Sequence, residues 1–222
     1  MPKQPNLTRE GKLKITEIFH SLQGEARDAG RPTVFIRLTG CPLRCVYCDS
    51  EYAFYGGEWQ HIDGIMKQVA GYGTRYVCVT GGEPLAQKRC LQLLDRLVEE
   101  GYRVSLETSG AVDISKVDER VSRVVDIKTP DSGEMARNLW ANLDKMTAHD
   151  QLKFVICSRN DYDWTLAEIR SRGLEDQFEI LLSPAWGELD ASDLASWVLQ
   201  DQLKVRMQLQ LHKILWGDEP GK

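Results

Sequence analysis

Thr33-Val34-Phe35-Ile36-Arg37-Leu38 runs almost directly into Gly40-Cys41-Pro42-Leu43-Arg44-Cys45-Val46-Tyr47-Cys48-Asp49-Ser50. The first of these stretches is rich in β-branched and apolar residues and reads as a strand. The loop after it carries three thiols in the spacing C-x3-C-x2-C. Three is odd, so disulfide pairing would strand one of them. Soft sulfur ligands at this density select zinc, copper(I) or an iron–sulfur cluster. A closed zinc site needs four protein ligands, and no second cysteine pair is present downstream, so His61 or a distant residue would have to complete it. On a four-iron, four-sulfur cluster, three cysteines leave one iron open to another molecule. The spacing favours the cluster.

Outward from this loop, short strands alternate with helical patterns. Residues 12–19 read as a strand and 20–31 as a loop containing Gln23-Gly24-Glu25. Ile62, Ile65, Met66 and Val69 fall at i, i+3, i+4 and i+7, which predicts a helix with one face on a core. Residues 75–80 form another apolar strand, closed by Gly81-Gly82-Glu83-Pro84. Pro84 suits the first turn of a helix that carries Leu91, Leu94, Leu97 and Val98 on one face and stops at Gly101. Further strands are predicted at 103–107, 121–127, 152–157 and 178–182, and helices at 135–146, 161–170 and 191–200. Residues 205–212 alternate, with Val205, Met207, Leu209 and Leu211 on one face and Arg206, Gln208, Gln210 and His212 on the other, as in a strand.

Strands alternating with helices imply βαβ units and a mainly parallel sheet. Six or so units are too few for a closed eight-fold barrel. The expected fold is α/β: a partial, splayed (β/α)6-type barrel of mainly parallel strands, trimmed in helices. It is expected as a single domain over 1–222, with a polar N-terminal segment at 1–12 and a C-terminal tail at 216–222. Ligands of such sheets sit beyond the carboxyl ends of the strands. The polar punctuation falls there, so it should converge on one mouth.

With 33 acidic and 28 basic residues the formal charge is −5, which offers no broad footprint for a nucleic acid backbone. Residues 1–12 lack the apolar stretch of a signal peptide, and no run reaches the length of a membrane span. The expected location is the cytoplasm, where thiols stay reduced. Small-molecule chemistry, with no direct nucleic acid or membrane partner, is the starting expectation.

Gly81-Gly82-Glu83-Pro84 at a strand–helix junction lets backbone approach a ligand closely and presents amides to an anion. A tight turn explains the glycines nearly as well. One βα unit after C-x3-C-x2-C, however, the combination is rarer than either part. Together these residues resemble the radical S-adenosylmethionine enzymes. The resemblance implies Cys41, Cys45 and Cys48 as ligands of a [4Fe-4S] cluster, with the open iron chelated by S-adenosylmethionine. Tyr47 matches the family's aromatic position, and Gly81, Gly82 and Glu83 match its element beside the methionyl amine. Ser109, Asp126, Lys128, Lys153 and Ser183 are further candidates for the cofactor wall. Strand-end ion pairs account for Asp126, Lys128 and Lys153 equally well.

Flanking residues narrow the match. Ser21-Leu22-Gln23-Gly24-Glu25, Cys48-Asp49-Ser50, Thr80-Gly81-Gly82-Glu83-Pro84, Leu106-Glu107-Thr108-Ser109-Gly110 and Gln210-Leu211-His212-Lys213 resemble the 7-carboxy-7-deazaguanine synthase family, from about residue 14 to 215. That resemblance implies a carbon–nitrogen lyase on the way to queuosine and related 7-deazapurines. Its reaction is a radical ring contraction of 6-carboxy-5,6,7,8-tetrahydropterin with loss of ammonia and regeneration of S-adenosylmethionine. Gln23, Glu25, Arg37, Thr80, Glu107 and His212 would face the pterin. Glu25 and Glu107 can accept from ring N–H donors, and Arg37 suits a carboxylate. The plainer accounts are an exposed loop acid for Glu25, an ion pair for Arg37, and a half-exposed edge strand for His212.

Ser50 stands where the family uses a threonine to help hold Mg2+, and its hydroxyl is expected to keep the ion; capping of the next turn is the alternative. Ala26 replaces a common glycine, Ser109 an asparagine and Leu211 a threonine. The chain continues past Leu215, so a family contact through the terminal carboxylate does not carry over. Trp216 is a lid or dimer candidate, or simply a surface aromatic. Cys78, Cys90 and Cys157 read as core. A one-electron reductant such as flavodoxin and a homodimer come with the resemblance. The rivals are an activating enzyme for a glycyl-radical partner and, in a different class, a non-catalytic iron–sulfur or zinc protein.

Overall fold

Residues 11–217, 219, 221 and 222 are described by the computed structural model. Most of the polar N-terminal segment expected at 1–12 lies outside the described residues. In chain order the described residues form β1 (Lys12–Leu22), β2 (Pro32–Leu38), β3 (Glu58–His61), α1 (Ile62–Ala70), β4 (Tyr76–Gly81) and α2 (Cys90–Glu99). Next come β5 (Arg103–Thr108), β6 (Ser122–Ile127), β7 (Gln151–Ile156), α3 (Arg159–Arg172), β8 (Glu179–Pro184), α4 (Ala191–Gln200), β9 (Arg206–Met207) and α5 (Leu211–Trp216). One nine-stranded sheet runs in the order β3-β1-β2-β4-β5-β6-β7-β8-β9. β1 is antiparallel to both its neighbours, and from β2 to β9 every pairing is parallel. This is the expected partial barrel with an antiparallel edge added.

Period-two alternation gives each strand two faces. On one, Ile36, Leu38, Val77, Val79, Leu106, Val125, Leu152 and Phe154 are buried against α1, α2 and the other covering helices. Each large apolar side chain so enclosed contributes about 1.5–3 kcal/mol relative to exposure. On the other face stand Arg37, Cys78, Thr80, Glu107, Asp126 and Lys153, and all of them line a cavity. The polar residues of the strands thus share the concave side, and the apolar ones the convex side.

β1 joins this pattern only through an irregularity. Its register against β2 slips between Ile15 and Glu17, so one extra residue is accommodated there. A bulge of this kind inverts the phase of the residues beyond it. Leu13 and Ile15 therefore lie in the core, whereas Glu17 pairs with the cavity residue Arg37 and Phe19 lines the cavity. Thr16 marks the slip, its hydroxyl sharing a 2.7 Å hydrogen bond with Thr39.

Four sequence expectations change. The helix expected from Pro84 is split, with Pro84–Ala86 a 3-10 turn and α2 starting at Cys90. β1 continues to Leu22, so the loop starts later than residue 20. The helix expected at 135–146 is two 3-10 segments, Met135–Arg137 and Trp140–Lys145. Asn138 bonds the backbone N–H and C=O of Lys128, and Asn142 reaches Gly110, Val112 and Ile114, so these amides serve the neighbouring loops at the expense of a helix. The strand expected at 205–212 is only Arg206–Met207, and His212 lies in the first turn of α5. Gln208 N–H still donates to Leu182 O on β8, but its side-chain Oε1 accepts from Ala26 N–H, and further on Leu211 N–H donates to Gly24 O, which draws the chain off the sheet edge.

The last two of those bonds belong to the 23–31 loop, which crosses the open side of the barrel. Arg27 fastens it by donating to Glu179 on β8 and to the carbonyls of Ala148 and His149. Ala26 sits inside, packed with Val124 and Leu181, at φ 62. That left-handed conformation explains why glycine suits the position.

Candidate active site

The cavity at the carboxyl ends of the parallel strands has a volume of about 740 Å³. Of the residues singled out in the sequence, Gln23, Glu25, Arg37, Thr80, Glu107 and His212 line it. So do Tyr47, Gly81, Gly82, Ser109, Asp126, Lys128, Lys153 and Ser183, together with Cys41, Cys45, Cys48 and Ser50. Glu83, by contrast, does not. A second hollow, about 510 Å³ around Arg120, Arg123 and Lys145, lies away from this mouth. Its arginines are already paired, with Asp118 and Asp150.

The cysteine loop is held by backbone bonds. Gly40 N–H donates to Ala53 O (2.8 Å), Val46 N–H to Ser132 O (3.1 Å) and Cys48 N–H to Cys45 O (3.2 Å). Arg44 curls back to the carbonyls of Cys41 and Leu43 and stacks on Phe54, 4.2 Å from the ring centre. The loop is bolted to the end of β4, where Gly82 N–H donates to Leu38 O and Glu83 N–H to Gly40 O. A Cβ on Gly82 would stand 2.4 Å from Gly40 O and 2.7 Å from the Cys41 Cβ, and one on Gly81 2.3 Å from Leu38 O. The glycine pair is therefore required by the approach of two loops.

The Glu83 side chain does not reach the cavity. It is fully buried behind the wall. Its carboxylate accepts from Leu85 N–H (2.9 Å), the Thr108 hydroxyl (3.0 Å), Ser109 N–H (2.7 Å) and the Ser109 hydroxyl (2.5 Å). It ties the end of β4 to the end of β5 and commits the Ser109 hydroxyl in doing so.

All three loop thiols have raised pKa values, Cys45 to about 11, chiefly because burial disfavours a thiolate; Lys128 opposes the shift at each. A coordinating metal reverses that balance by holding the deprotonated form. His61 ends β3 and does not line the cavity, which removes it as a fourth ligand. Among the described residues no three Cys, His, Asp or Glu side chains converge as a single ion requires. Three thiols spread over one loop fit a multi-iron cluster better than a lone zinc. Next to them, the Tyr47 hydroxyl and Asp126 Oδ1 are buried without a hydrogen-bond partner. The other oxygen of Asp126 holds Lys128 at 3.1 Å, and that ammonium lies 5.6 Å from the Tyr47 ring centre. Unsatisfied buried polar atoms at a cavity wall mark where a polar ligand completes the structure. The donor set and these orphans fit a cluster with S-adenosylmethionine.

Arg37 fulfils both readings: Nε donates to Glu17 at 2.7 Å while the side chain lines the cavity, which leaves the outer edge of its fork for a ligand. Phe19 and Phe35 stack beside it, centroids 4.9 Å apart, as an aromatic wall. Glu25 is no exposed loop acid, since it pairs with the buried Lys153. Burial, with the charges of Glu25 and Asp126, pushes Glu107 up to about 7 against the pull of Lys153. Burial lowers His212, which keeps its imidazole neutral at pH 7. That ring packs on Gly24, where a Cβ would fall 2.0 Å from Nδ1.

Ser50 makes no side-chain cap; its hydroxyl donates to Asp49 Oδ1 at 2.7 Å, and Gln210 donates to Asp49 Oδ2 at 3.2 Å. Burial disfavours the Asp49 carboxylate, but the bonds from Ser50 and Gln210 with Lys153 and Lys213 nearby hold its pKa below the ordinary value. Sequence reasoning missed Asp49 as a site residue, although its place beside Ser50 was the available signal. It also missed Cys78, which lines the cavity despite its burial and is pushed up to about 12.

A match to the Radical SAM superfamily spans residues 35–176. Its span takes in the cysteine loop, the glycine pair and the β4–β7 wall, and the chain belongs to that superfamily. The chain is 45% identical to the 7-carboxy-7-deazaguanine synthase of Koribacter versatilis, over 93% of this chain and 98% of that protein. It is 41% identical to that of Chlorobaculum tepidum, over 96% and 98%. The crystal structure of QueE from Escherichia coli matches with a TM-score of 0.72 at 25% identity, over 93% of this chain and 99% of that one. Within the superfamily, the chain belongs to the 7-carboxy-7-deazaguanine synthase family.

Proposed function

We infer that this chain carries out the conversion for which its family is named. It is a radical lyase that contracts 6-carboxy-5,6,7,8-tetrahydropterin to 7-carboxy-7-deazaguanine and releases ammonia. The observation that carries the reading is one polar cavity joining the three-thiol loop to Glu25, Arg37, Glu107 and His212. When bound, the cluster and S-adenosylmethionine supply a hydrogen-abstracting carbon radical. Cys41, Cys45 and Cys48 would hold the cluster, and Tyr47, the Gly81–Gly82 backbone, Asp126 and Lys128 the cofactor. Glu25 and Glu107 accept from the ring N–H groups, Arg37 offers its free edge to the carboxylate, and Phe19 and Phe35 shield the ring from water.

Mg2+ belongs to the same proposal. Asp49 and Ser50 offer a carboxylate and a hydroxyl side by side, and magnesium keeps several waters and needs few protein ligands. A small one-electron reductant such as flavodoxin and a homodimer are proposed from the family likeness, and so is a cytoplasmic setting. Among the described residues no helix is long and apolar enough to cross a membrane.

The experiment is anaerobic reconstitution with iron and sulfide, then reductive turnover of the carboxypterin with and without Mg2+. The expected result is the deazaguanine with S-adenosylmethionine unconsumed, a rate that rises with Mg2+, and a stimulation weakened in Ser50→Ala and Asp49→Asn. Colourless, zinc-loaded protein inert toward S-adenosylmethionine would overturn the enzyme reading. Stimulation unchanged in both variants would remove the magnesium site. Turnover of S-adenosylmethionine only with a protein partner would favour a glycyl-radical activator.

A further inference from the structure

Lys153 stands on β7 with acids from three other parts of the fold around it. Its ammonium pairs with Glu25 of the 23–31 loop, 128 positions away in sequence. Glu107 on β5 and Asp126 on β6 are the other charges that act on it. Asp126 is cross-strand neighbour to Lys153 in the ladder, yet it already holds Lys128 at 3.1 Å. Among the described residues, no side-chain hydrogen bond or close ion pair ends on the Glu107 carboxylate, although it lines the cavity. Lys153 is only 8% exposed. An ammonium so enclosed is held by its counter-charges, and losing it leaves those acids unbalanced in a poorly solvated place.

We propose that Lys153 is a positioning residue for the substrate-facing acids and makes no contact with S-adenosylmethionine. It pins Glu25 to the cavity wall and supplies the counter-charge that lets Glu107 accept hydrogen bonds from the ring N–H groups of a bicyclic substrate. This rests on the pterin reading above. It also reassigns a residue whose strand-end position suggested the cofactor. Lys128, on the neighbouring strand's exit beside Tyr47 and the thiols, is the cation on the cofactor side.

Two measurements on the reconstituted holoenzyme separate the roles: the dissociation constant of S-adenosylmethionine, and kcat and KM for the carboxypterin across pH. In Lys153→Met the first is expected to stay within about threefold of wild type, while KM rises about 30-fold or more. The acidic limb of kcat/KM should move to higher pH, because Glu107 faces Glu25, Asp126 and Cys78 without its cation. Lys153→Arg should restore most of the affinity. On a Glu25→Gln background, Lys153→Met should cost far less than on wild type, because the pair is then already broken. This doubly neutral chain also serves if Lys153→Met alone fails to fold. Loss of S-adenosylmethionine affinity with KM unchanged would overturn the proposal, as would strict additivity of the two substitutions. A wild-type holoenzyme that leaves the carboxypterin untouched defeats the substrate reading itself, a different failure from a Lys153→Met enzyme with normal KM.

Discussion

Glu107 is ordinary in sequence, a single acid at the end of a β-strand, and its chemistry comes from what surrounds it. Burial raises it to about 7 from 4.5, and the nearby acids Glu25 and Asp126 add to burial while Lys153 opposes both. For an acid with a raised folded-state pKa, the proton is bound more tightly in the folded chain. The associated stability is complete below 4.5 and is lost as pH rises through about 7. Function runs the other way, because the ionised form accepts hydrogen bonds. The kcat/KM for the pterin should therefore climb as pH passes through about 7, and Glu107→Gln should flatten that limb while lowering the plateau. A pH series of initial rates checks both, and an unchanged limb in the glutamine variant would remove Glu107 from the profile. The sequence showed that Glu107 belongs to a motif. It did not show the protonation balance, which is set by side chains from a loop and two other strands.

At the scale of elements, two glycines make opposite demands. Gly82 would press a Cβ into the backbone of Gly40, which cannot yield without moving the cysteine loop. Gly24 would press one into the His212 ring, the end of a side chain that can rotate away. Gly82→Ala should accordingly lower stability by about 2–4 kcal/mol and impair loading of iron. Gly24→Ala should barely move the melting temperature yet raise KM for the pterin. Thermal unfolding, iron content and steady-state kinetics distinguish the two, and equal melting temperatures would contradict the account. Both glycines sit in motifs legible in the sequence, but only the packing assigns one to a loop junction and the other to a histidine. The 205–212 stretch teaches the reverse. Its alternation was real as a pattern and still failed as a strand beyond Met207, where the Gln208 side chain and the Leu211 N–H bond to the 23–31 loop.

The whole molecule keeps its cavity by burying charge on the far side from the mouth. Arg123 and Asp150 form an almost wholly enclosed ion pair, with side-chain exposures of 3% and 0%. Arg123 also donates to Lys145 O, and Asp150 accepts from Thr147 N–H and from Arg123 N–H. The pair thus ties the start of β6, the strand that carries Asp126 and Lys128 toward the site, to the residues that lead into β7. Arg123→Ala leaves a buried carboxylate without its partner and should destabilise the fold by about 3–5 kcal/mol. Chemical denaturation measures this. A loss below about 1 kcal/mol would show that water reaches Asp150.

What the sequence determined alone was local or periodic: the thiol spacing, the glycine pair, the βα alternation, and so the α/β half-barrel with its mouth at the strand ends. Such signals survive in one dimension because they depend on neighbours a few residues apart. Tertiary structure alone decided the phase slip at Thr16, the enclosure of Glu83, the pairing of Lys153 with Glu25 and the closure by Arg27. Each depends on groups far apart in the chain that meet only when the sheet has curled, and no pattern along the chain encodes which charge will face which.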